Sequence, residues 1–348
     1  MSILNNISIQ EKIDFTRNLS LLIKSGNPIN ESLNILARQS RNPAFKKVFI
    51  RARDKIEQGT PLHQIFEENK NFDNAFVSFI RAGEESGTLD ENLTFLSNWL
   101  DVQYTLKKEM GAATLYPKIV LVFGTILAFS LSIFVLPNVV NVLSGLDVEL
   151  PLTTRILLSF SEMMQNHGAL VFAGVIAFLV LFKISLKFSM VRKFFDKVLL
   201  RIPVFGDLNK DYQLTVITQL SSILFKSGLP IRQTLEIVSE SVSNSEYSQS
   251  INRAIMRIEK GTKLSSAIEG DNHLYPDVFV NIILTGESAG TLGDCFSYLS
   301  KFFESRVLER TKKIPVVLEP ILLIAMGLLV AFIASAIVLQ MYQITQGI

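Results

Sequence analysis

Apolar side chains recur at helical spacing in two long stretches of the chain. Near the N-terminus Phe15, Leu19 and Leu22 lie three or four positions apart, and Leu214 and Ile217 begin the same pattern in the second half. This period is typical of amphipathic helices, and no long alternation of apolar and polar residues interrupts it. We predict about six short helices in each stretch of about 100 residues, a length sufficient for an independent core.

Three runs without any Asp, Glu, Lys or Arg account for the remaining apolar residues. They cover residues 119–146, 163–182 and 320–348. Each is long enough to cross a hydrocarbon core about 30 Å thick, which takes about 20 residues of helix. The whole chain is 48% hydrophobic and 19% charged, whereas a soluble domain carries about 25% charged residues. We therefore predict three transmembrane helices.

The two helical stretches are copies of one another, offset by about 200 residues. Three pairs of segments match: 23–29 with 225–231, 56–60 with 258–262, and 82–89 with 285–292. The offset changes by only one residue between the first pair and the last. Pro117, before the first apolar run, also matches Pro320, before the third. The repeating unit is therefore a helical bundle followed by a spanning helix.

The predicted fold is an all-α membrane protein with two homologous cytoplasmic helical bundles of about six helices each and three transmembrane helices. In chain order we predict a first bundle at 1–110, a span at 117–137, an external loop at 138–167, a span at 168–186, a second bundle at 205–313, a span at 317–340 and an external tail at 341–348. Lys and Arg favour the cytoplasmic side of a membrane, and Arg155 is the only basic residue of the loop at 138–167. We expect a multi-pass protein with its N-terminus in the cytoplasm and its C-terminus outside.

Composition argues against several classes of function. The net charge of +2, without a block of basic residues, does not favour nucleic-acid binding. Cys295 is the only cysteine, and the histidines lie far apart without the spacing of a metal site. A phosphate-binding GxxxxGK[ST] motif is absent from the sequence, so ATP hydrolysis would have to come from a partner. We expect no enzymatic activity and no organic cofactor.

Glycine and proline punctuate both copies at equivalent positions. Gly26 and Gly228 are expected to take the left-handed conformation that ends one helix. Pro28 and Pro230 follow two residues later and suit the first turn of the next helix, because proline has no amide hydrogen to donate.

A second repeated motif carries a resemblance to a known family. Its residues are Gly83, Glu84, Gly87 and Leu89 in the first copy, and Gly286, Glu287, Gly290 and Leu292 in the second. Together with the repeated bundle and the prolines before the spans, this motif resembles the PilC/GspF family of inner-membrane platform proteins. The resemblance implies a place in the bacterial inner membrane, contacts with a cytoplasmic assembly or retraction ATPase, and handling of pilins or pseudopilins. It also implies contacts with other inner-membrane machine components and with further copies of the chain.

Glu84 and Glu287 are the strongest candidates for a functional site. We expect the helices before them to end at Gly83 and Gly286, where the helix dipole disfavours a negative charge without a partner. One interpretation is that each glutamate caps the following helix, which begins near Thr88 or Thr291. The other is an interface or metal carboxylate: the resemblance implies a divalent cation such as calcium at Glu84, Asp90 and Glu91.

The resemblance leaves the machine open between a type IV pilus, in which the platform inserts or extracts pilins, a type II secretion system acting on pseudopilins, and a competence pilus. A small membrane transporter is the alternative from another class, and it is disfavoured because the three apolar runs lack the ionisable groups of an ion pathway. A membrane-anchored signalling adaptor is the third alternative. Pro117 and Pro320 would kink the spans and pass motion from bundle to membrane, or would serve only as turn residues at helix entrances.

Overall fold

The computed structural model describes residues 7–130 and 188–346, with isolated positions between 159 and 185. Within these residues every regular element is a helix, as the fold prediction requires. In order they are α1 (Ile9–Lys24), α2 (Ile29–Gln39), α3 (Pro43–Glu57), α4 (Leu62–Glu67), α5 (Asn74–Ser86), α6 (Leu89–Ala113), α7 (Leu115–Ser130), α8 (Ser189–Leu199), α9 (Phe205–Lys226), α10 (Ile231–Ser241), α11 (Ser245–Ile258), α12 (Leu264–Glu269), α13 (Asp277–Ala289) and α14 (Leu292–Gln346).

The order of helices repeats, with α1–α6 matched by α9–α14. The start of the third helix in each copy shows the repetition at atomic detail. Asn42 precedes α3 and its side chain accepts the amide of Ala44 at 2.9 Å, while Asn244 precedes α11 and accepts the amide of Glu246 at 2.9 Å. Asparagine is among the best residues for this position because its side-chain oxygen satisfies an amide that the helix leaves unpaired.

Aromatic rings form the centre of the first copy. Phe15 of α1 lies 4.9 Å from Phe49 and 5.4 Å from Phe45, measured between ring centroids, so α1 packs on α3. Phe66 of α4 and Phe76 of α5 are fully buried against the same cluster. Aromatic pairs of this kind contribute about 0.5–1.5 kcal/mol each beyond the burial of their area. The rings therefore join helices that are far apart in the chain.

The second copy has an aromatic cluster of its own and a half-buried carboxylate. Tyr247 and Tyr275 are buried edge to face, with ring centroids 5.8 Å apart. Asp271 accepts hydrogen bonds from Ser250 at 2.5 Å and Arg253 at 2.7 Å. Burial acts to raise the pKa of Asp271, but these two hydrogen bonds and the charge of Arg253 outweigh it and hold the pKa below its usual value.

The described residues divide into two compact units. Met1–Glu109 and Lys193–Arg310 form one unit, which holds α1–α5 and α9–α13. Met110–Arg192 and Thr311–Ile348 form the other, in which α7 packs on α14. A side chain at Gly124 of α7 would lie 2.6 Å from the sulfur of Met326, so glycine permits this close approach.

One helical stretch in the described part of the chain, Leu89–Leu127, is long enough to cross a membrane and contains an 18-residue window with a mean hydropathy of 1.6. The predicted external loop at 138–167 lies outside the described residues except for two isolated positions. Of the span predicted at 168–186, only isolated positions are described. Three spans therefore stay a prediction.

Two helix boundaries differ from those expected at the edges of the bundles. α6 continues past residue 110 to Ala113, and α7 begins at Leu115, so that Pro117 lies in its first turn. α14 has no break between 313 and 317 and includes Pro315 and Pro320. It also extends into the predicted tail as far as Gln346. Each proline removes only one backbone hydrogen bond, which does not end this helix.

Candidate functional site

The helix before the repeated motif ends later than the sequence predicted. α5 continues to Ser86, and Gly87 takes the left-handed conformation with φ of 72°. The amides of Gly87 and Thr88 both donate to the carbonyl oxygen of Gly83, at 3.0 Å for Thr88. These bonds satisfy a carbonyl that the end of the helix would otherwise leave unpaired. Gly83 therefore lies in the last turn of the helix, and Gly87 terminates it.

The second copy repeats this helix end. α13 continues to Ala289, Gly290 has φ of 71°, and the amide of Thr291 donates to the carbonyl oxygen of Gly286 at 2.8 Å. The expectation that the helices end at Gly83 and Gly286 was wrong in both copies, because the residue that needs a positive φ is the second glycine of the motif.

The first glycine of the motif allows the next helix to pack closely. A side chain at Gly83 would lie 2.8 Å from the α-carbon of Leu89, the first residue of α6. At Gly286 it would lie 2.6 Å from the sulfur of Cys295 in α14. Leu89 is buried and Leu292 is half-buried against the core, so the motif leucine anchors the start of the following helix.

Glu84 caps a helix that precedes it in the chain. Its carboxylate accepts the amides of Leu62 at 2.6 Å and His63 at 2.9 Å, and lies 2.6 Å from Nδ1 of His63. These are the first two residues of α4, whose N-cap, Pro61, makes no side-chain hydrogen bond. A carboxylate at a helix N-terminus is also favoured by the helix dipole. Capping was one of the two predicted interpretations, but the capped helix is α4 and not α6.

Glu287 performs the same role in the second copy. It accepts the amides of Leu264 at 2.6 Å and Ser265 at 3.2 Å, and the hydroxyl of Ser265 donates to it at 2.7 Å. The N-cap Lys263 of α12 makes no side-chain hydrogen bond. His63 and Ser265 were missed from the sequence, although both follow the matched segments 56–60 and 258–262 at the same distance.

The acidic residues proposed for a cation do not converge. Within the described residues, no group of three or more His, Cys, Asp or Glu side chains is placed to hold a metal ion. Glu84 is occupied by the amides of α4, and Glu91 is exposed. The carbonyl oxygen of Asp90 accepts the hydroxyl of Ser20 at 2.8 Å. A cation at Glu84, Asp90 and Glu91 stays a prediction without support from this geometry.

The glycines of the repeated turns have the predicted left-handed conformation, and one of the turns contacts α6. Gly26 and Gly228 have φ of 86° and 80°, and Pro28 and Pro230 are the N-caps of α2 and α10. In the turn of the second copy, the hydroxyl of Ser227 donates to the side chain of Asn92 in α6 at 3.0 Å. The structure thus brings this turn against the first copy.

A groove of about 460 Å³ lies between α5 and the start of α10. From α5 it is lined by Ser78, Arg81, Ala82, Glu85 and Ser86, and from the second copy by Ser227, Gly228, Leu229, Pro230, Gln233, Glu236 and Ile237. Pro117 and Pro320 belong to the other compact unit. The carboxylates of the motif glutamates accept backbone amides at the starts of α4 and α12, so their observed role is helix capping. The geometry is that of a structural and binding element.

Comparison with known proteins agrees with the duplication. The family model described as type II secretion system (T2SS), protein F, matches residues 15–137 and again residues 217–340. The type IV pilus assembly protein PilC of Thermus thermophilus is 27% identical over 330 residues, which cover 95% of this chain and 81% of that protein. PilC of Myxococcus xanthus is 28% identical over 314 residues, or 90% and 75% of the two chains.

A protein named for secretion is similar to the same degree. The type II secretion system protein F of Pseudomonas aeruginosa is 27% identical over 335 residues, which cover 95% of this chain and 82% of that protein. Because the family model matches both copies and well over half of the residues, the chain belongs to the family of type II secretion system protein F.

Proposed function

We propose that this chain is the inner-membrane platform of a type IV pilus assembly machine or of a type II secretion system. The observation that carries the proposal is the double match of the family model, one match in each copy of the repeat. Relatives similar over 90% or more of this chain are named for pilus assembly or for type II secretion. The motif glutamates, which cap helices, fit a scaffold better than a catalytic centre.

The proposed topology has three transmembrane helices, an N-terminus in the cytoplasm and a C-terminus outside. The apolar window within Leu89–Leu127 and the excess of basic residues at 183–201 over the loop at 138–167 support it. A cysteine at Gln346, in a chain with Cys295→Ser, would react with a membrane-impermeant maleimide added to spheroplasts. The matched variant Met256→Cys lies on an exposed surface of the second copy and would react only after lysis. Labelling in the opposite order would overturn the topology.

The proposed partners are a cytoplasmic assembly or retraction ATPase, pilins or pseudopilins, other inner-membrane machine components and further copies of this chain. A partner ATPase is required because the sequence has no phosphate-binding GxxxxGK[ST] loop. The bundles would bind the ATPase, and the spans would contact the apolar helix of a pilin. In this proposal the platform couples the ATPase to insertion or extraction of subunits and catalyses no reaction itself.

The direct test is purification of the tagged protein from its own cells in mild detergent, followed by mass spectrometry of the proteins that accompany it. An unrelated polytopic membrane protein with the same tag is the control. Enrichment of a hexameric ATPase together with pilins or pseudopilins is the expected result. Their absence, in a preparation that retains other membrane complexes, would refute the proposal.

Deletion of the gene separates the two machines. Loss of surface pili with normal protein export identifies the pilus platform. Retention of secreted proteins in the periplasm with normal pili identifies the secretion platform.

A further inference from the structure

The two copies contact each other through different helices. α5 of the first copy packs against α10 of the second, and the side-chain amide of Asn74 donates to the carboxylate of Glu240 at 2.7 Å. Ser227, in the turn before α10, donates to Asn92 in α6. The first copy therefore uses the face of its fifth helix, and the second copy uses the face of its second helix.

This packing is head to tail. In an arrangement with two-fold symmetry, the equivalent pair, α2 of the first copy and α13 of the second, would pack in the same way. Both helices lie wholly within the described residues, and they do not form such an interface. Head-to-tail contacts leave one face of each kind open at the two ends of the pair, and open faces of this kind join further copies.

Burial shows which face of α13 is open. Ala82 of α5 is only 7% exposed because α10 covers it, whereas the matching Thr285 of α13 is exposed. Phe79 is fully buried, and the matching Ile282 is half-buried against the core. Leu284, on the same helix, is 45% exposed. The face that carries the contact in the first copy is thus open to solvent in the second, where Leu284 stands at the position of Arg81 and Thr285 at that of Ala82.

The charges at the two open faces are complementary. Arg38 of α2 matches Glu240 in the repeat, 202 residues apart, and Asp277 of α13 matches Asn74, 203 residues apart. Inside the chain, the amide of Asn74 donates to the carboxylate of Glu240. At the two open faces, the matched residues are Asp277 and Arg38, which carry opposite charges. Both residues are exposed, and neither has an ion pair in the described part of the chain. Opposite charges at equivalent positions set the register of an interface.

We propose that α13 of one molecule binds α2 of a second copy of this chain in the same way that α10 binds α5 within the chain, with Asp277 opposite Arg38. Leu284 and Thr285 would then be covered by the half-buried Ile35, whose match Ile237 lines the groove beside α5. The inference rests on the proposed function only in that copies of the chain associate. It adds which surfaces do so and that the contact is heterologous.

Cross-linking between two single-cysteine variants tests the proposal on the purified full chain in liposomes, without ATPase or pilin. In a Cys295→Ser background, Arg38→Cys and Asp277→Cys are prepared with different tags, mixed before reconstitution and treated with a short bifunctional thiol reagent. The expected product is a dimer that carries both tags and forms only in the mixture. Asn74→Cys with Glu240→Cys in one chain is the positive control and yields an internal cross-link.

The pairing pattern decides between the alternatives. Dimers from Arg38→Cys alone or from Asp277→Cys alone would show a two-fold interface and overturn the proposal. A yield in the mixture no higher than that of Arg38→Cys with the exposed Met256→Cys would also overturn it. Recovery of the ATPase from cells is an independent readout, so failure here leaves the platform role standing.

Charge reversal provides a second, quantitative test. Arg38→Asp or Asp277→Arg alone is expected to weaken dimerisation by about threefold to tenfold, because each places like charges opposite one another. The double variant restores the original affinity. Native mass measurements in detergent at several concentrations give the dissociation constants, and equal weakening in the double variant would refute the pairing.

Discussion

Replacing Glu84 by alanine removes the acceptor for the first two amides of α4 without changing the backbone of α5. The amides of Leu62 and His63 lose bonds of 2.6 and 2.9 Å, and Pro61 offers no side chain to replace them. Loss of a helix cap costs about 0.5–2 kcal/mol, and a hydrogen bond to a charged group contributes about 1.5–3 kcal/mol. The side chain of Glu84 is only 19% exposed, so water compensates little. We expect a loss of about 3 kcal/mol.

Trp99 supplies the assay because it is the only tryptophan and lies in the first copy. It is 6% exposed, with its ring 6.2 Å from that of Phe79 in α5. Its fluorescence during heating of the detergent-solubilised protein therefore reports unfolding next to the capped helix. A loss of about 3 kcal/mol lowers the midpoint by about 6–12 °C in a unit of this size. Glu84→Gln keeps one acceptor oxygen but no charge, and is expected to fall between the wild type and Glu84→Ala.

Glu91→Ala is the matched control, since Glu91 is exposed and the amides at the start of α4 donate to Glu84 instead. Its midpoint is expected to stay within about 1 °C of the wild type, as surface substitutions usually cost less than 0.5 kcal/mol. Equal shifts for Glu84→Ala and Glu91→Ala would refute the capping role. A bound cation predicts another pattern, in which calcium raises the midpoint of the wild type and Glu91→Ala abolishes the rise.

Three further predictions concern the repeated motif and the half-buried carboxylate of the second copy. Gly83→Ala is expected to lower the free energy of unfolding by about 1–3 kcal/mol, and Gly286→Ala by about 1 kcal/mol, as measured by denaturant titration. The new methyl group at position 83 would meet backbone, whereas the one at position 286 would meet a cysteine sulfur. Gly87→Ala is expected to cost about 1–2 kcal/mol through its positive φ alone, and Gly87→Asn less, so equal losses would refute the backbone explanation. The pKa of Asp271 is lowered in the folded protein, so its contribution to stability is present above the unfolded pKa and is lost as pH falls through the folded pKa. Asp271→Asn is therefore expected to flatten the decline of the melting midpoint below about pH 5. An unchanged decline would contradict this.

Local features of the fold were predictable from the sequence, and features that depend on packing were not. The duplication, the helices and the turns at Gly26 and Gly228 follow from spacing and from the conformational freedom of glycine. The partner of Glu84 lies 21 residues earlier, and only the packing of α5 beside α4 reveals it. From the sequence, Glu84 was expected to cap the helix that begins near Thr88, because that helix start is the nearest one in the chain.

The end of the second bundle is another feature that the sequence did not predict correctly. Pro320 was expected to kink the span or to be a turn residue at its entrance, because proline cannot donate a backbone hydrogen bond, and Pro315 lies five residues before it. α14 instead continues through both, because helix formation is cooperative and the residues on either side favour it. The open faces of α2 and α13 also escaped sequence reasoning. The opposite charges of Arg38 and Asp277 suggest a contact only once the structure shows that the matched residues, Glu240 and Asn74, are hydrogen-bonded.

The contact between α5 and α10 lies within one polypeptide, and this bears on how a duplicated chain evolves. In a chain with one copy, the same two faces would meet only between separate molecules. Tandem fusion makes the encounter intramolecular, and the connection between the two faces then sets their effective concentration. Selection for strong binding is therefore relaxed at the faces of α5 and α10. In the proposed contact between molecules, the faces of α2 and α13 would need stronger electrostatic attraction. The residues follow this direction, with an asparagine opposite Glu240 inside the chain and full opposite charges on Arg38 and Asp277 at its open faces.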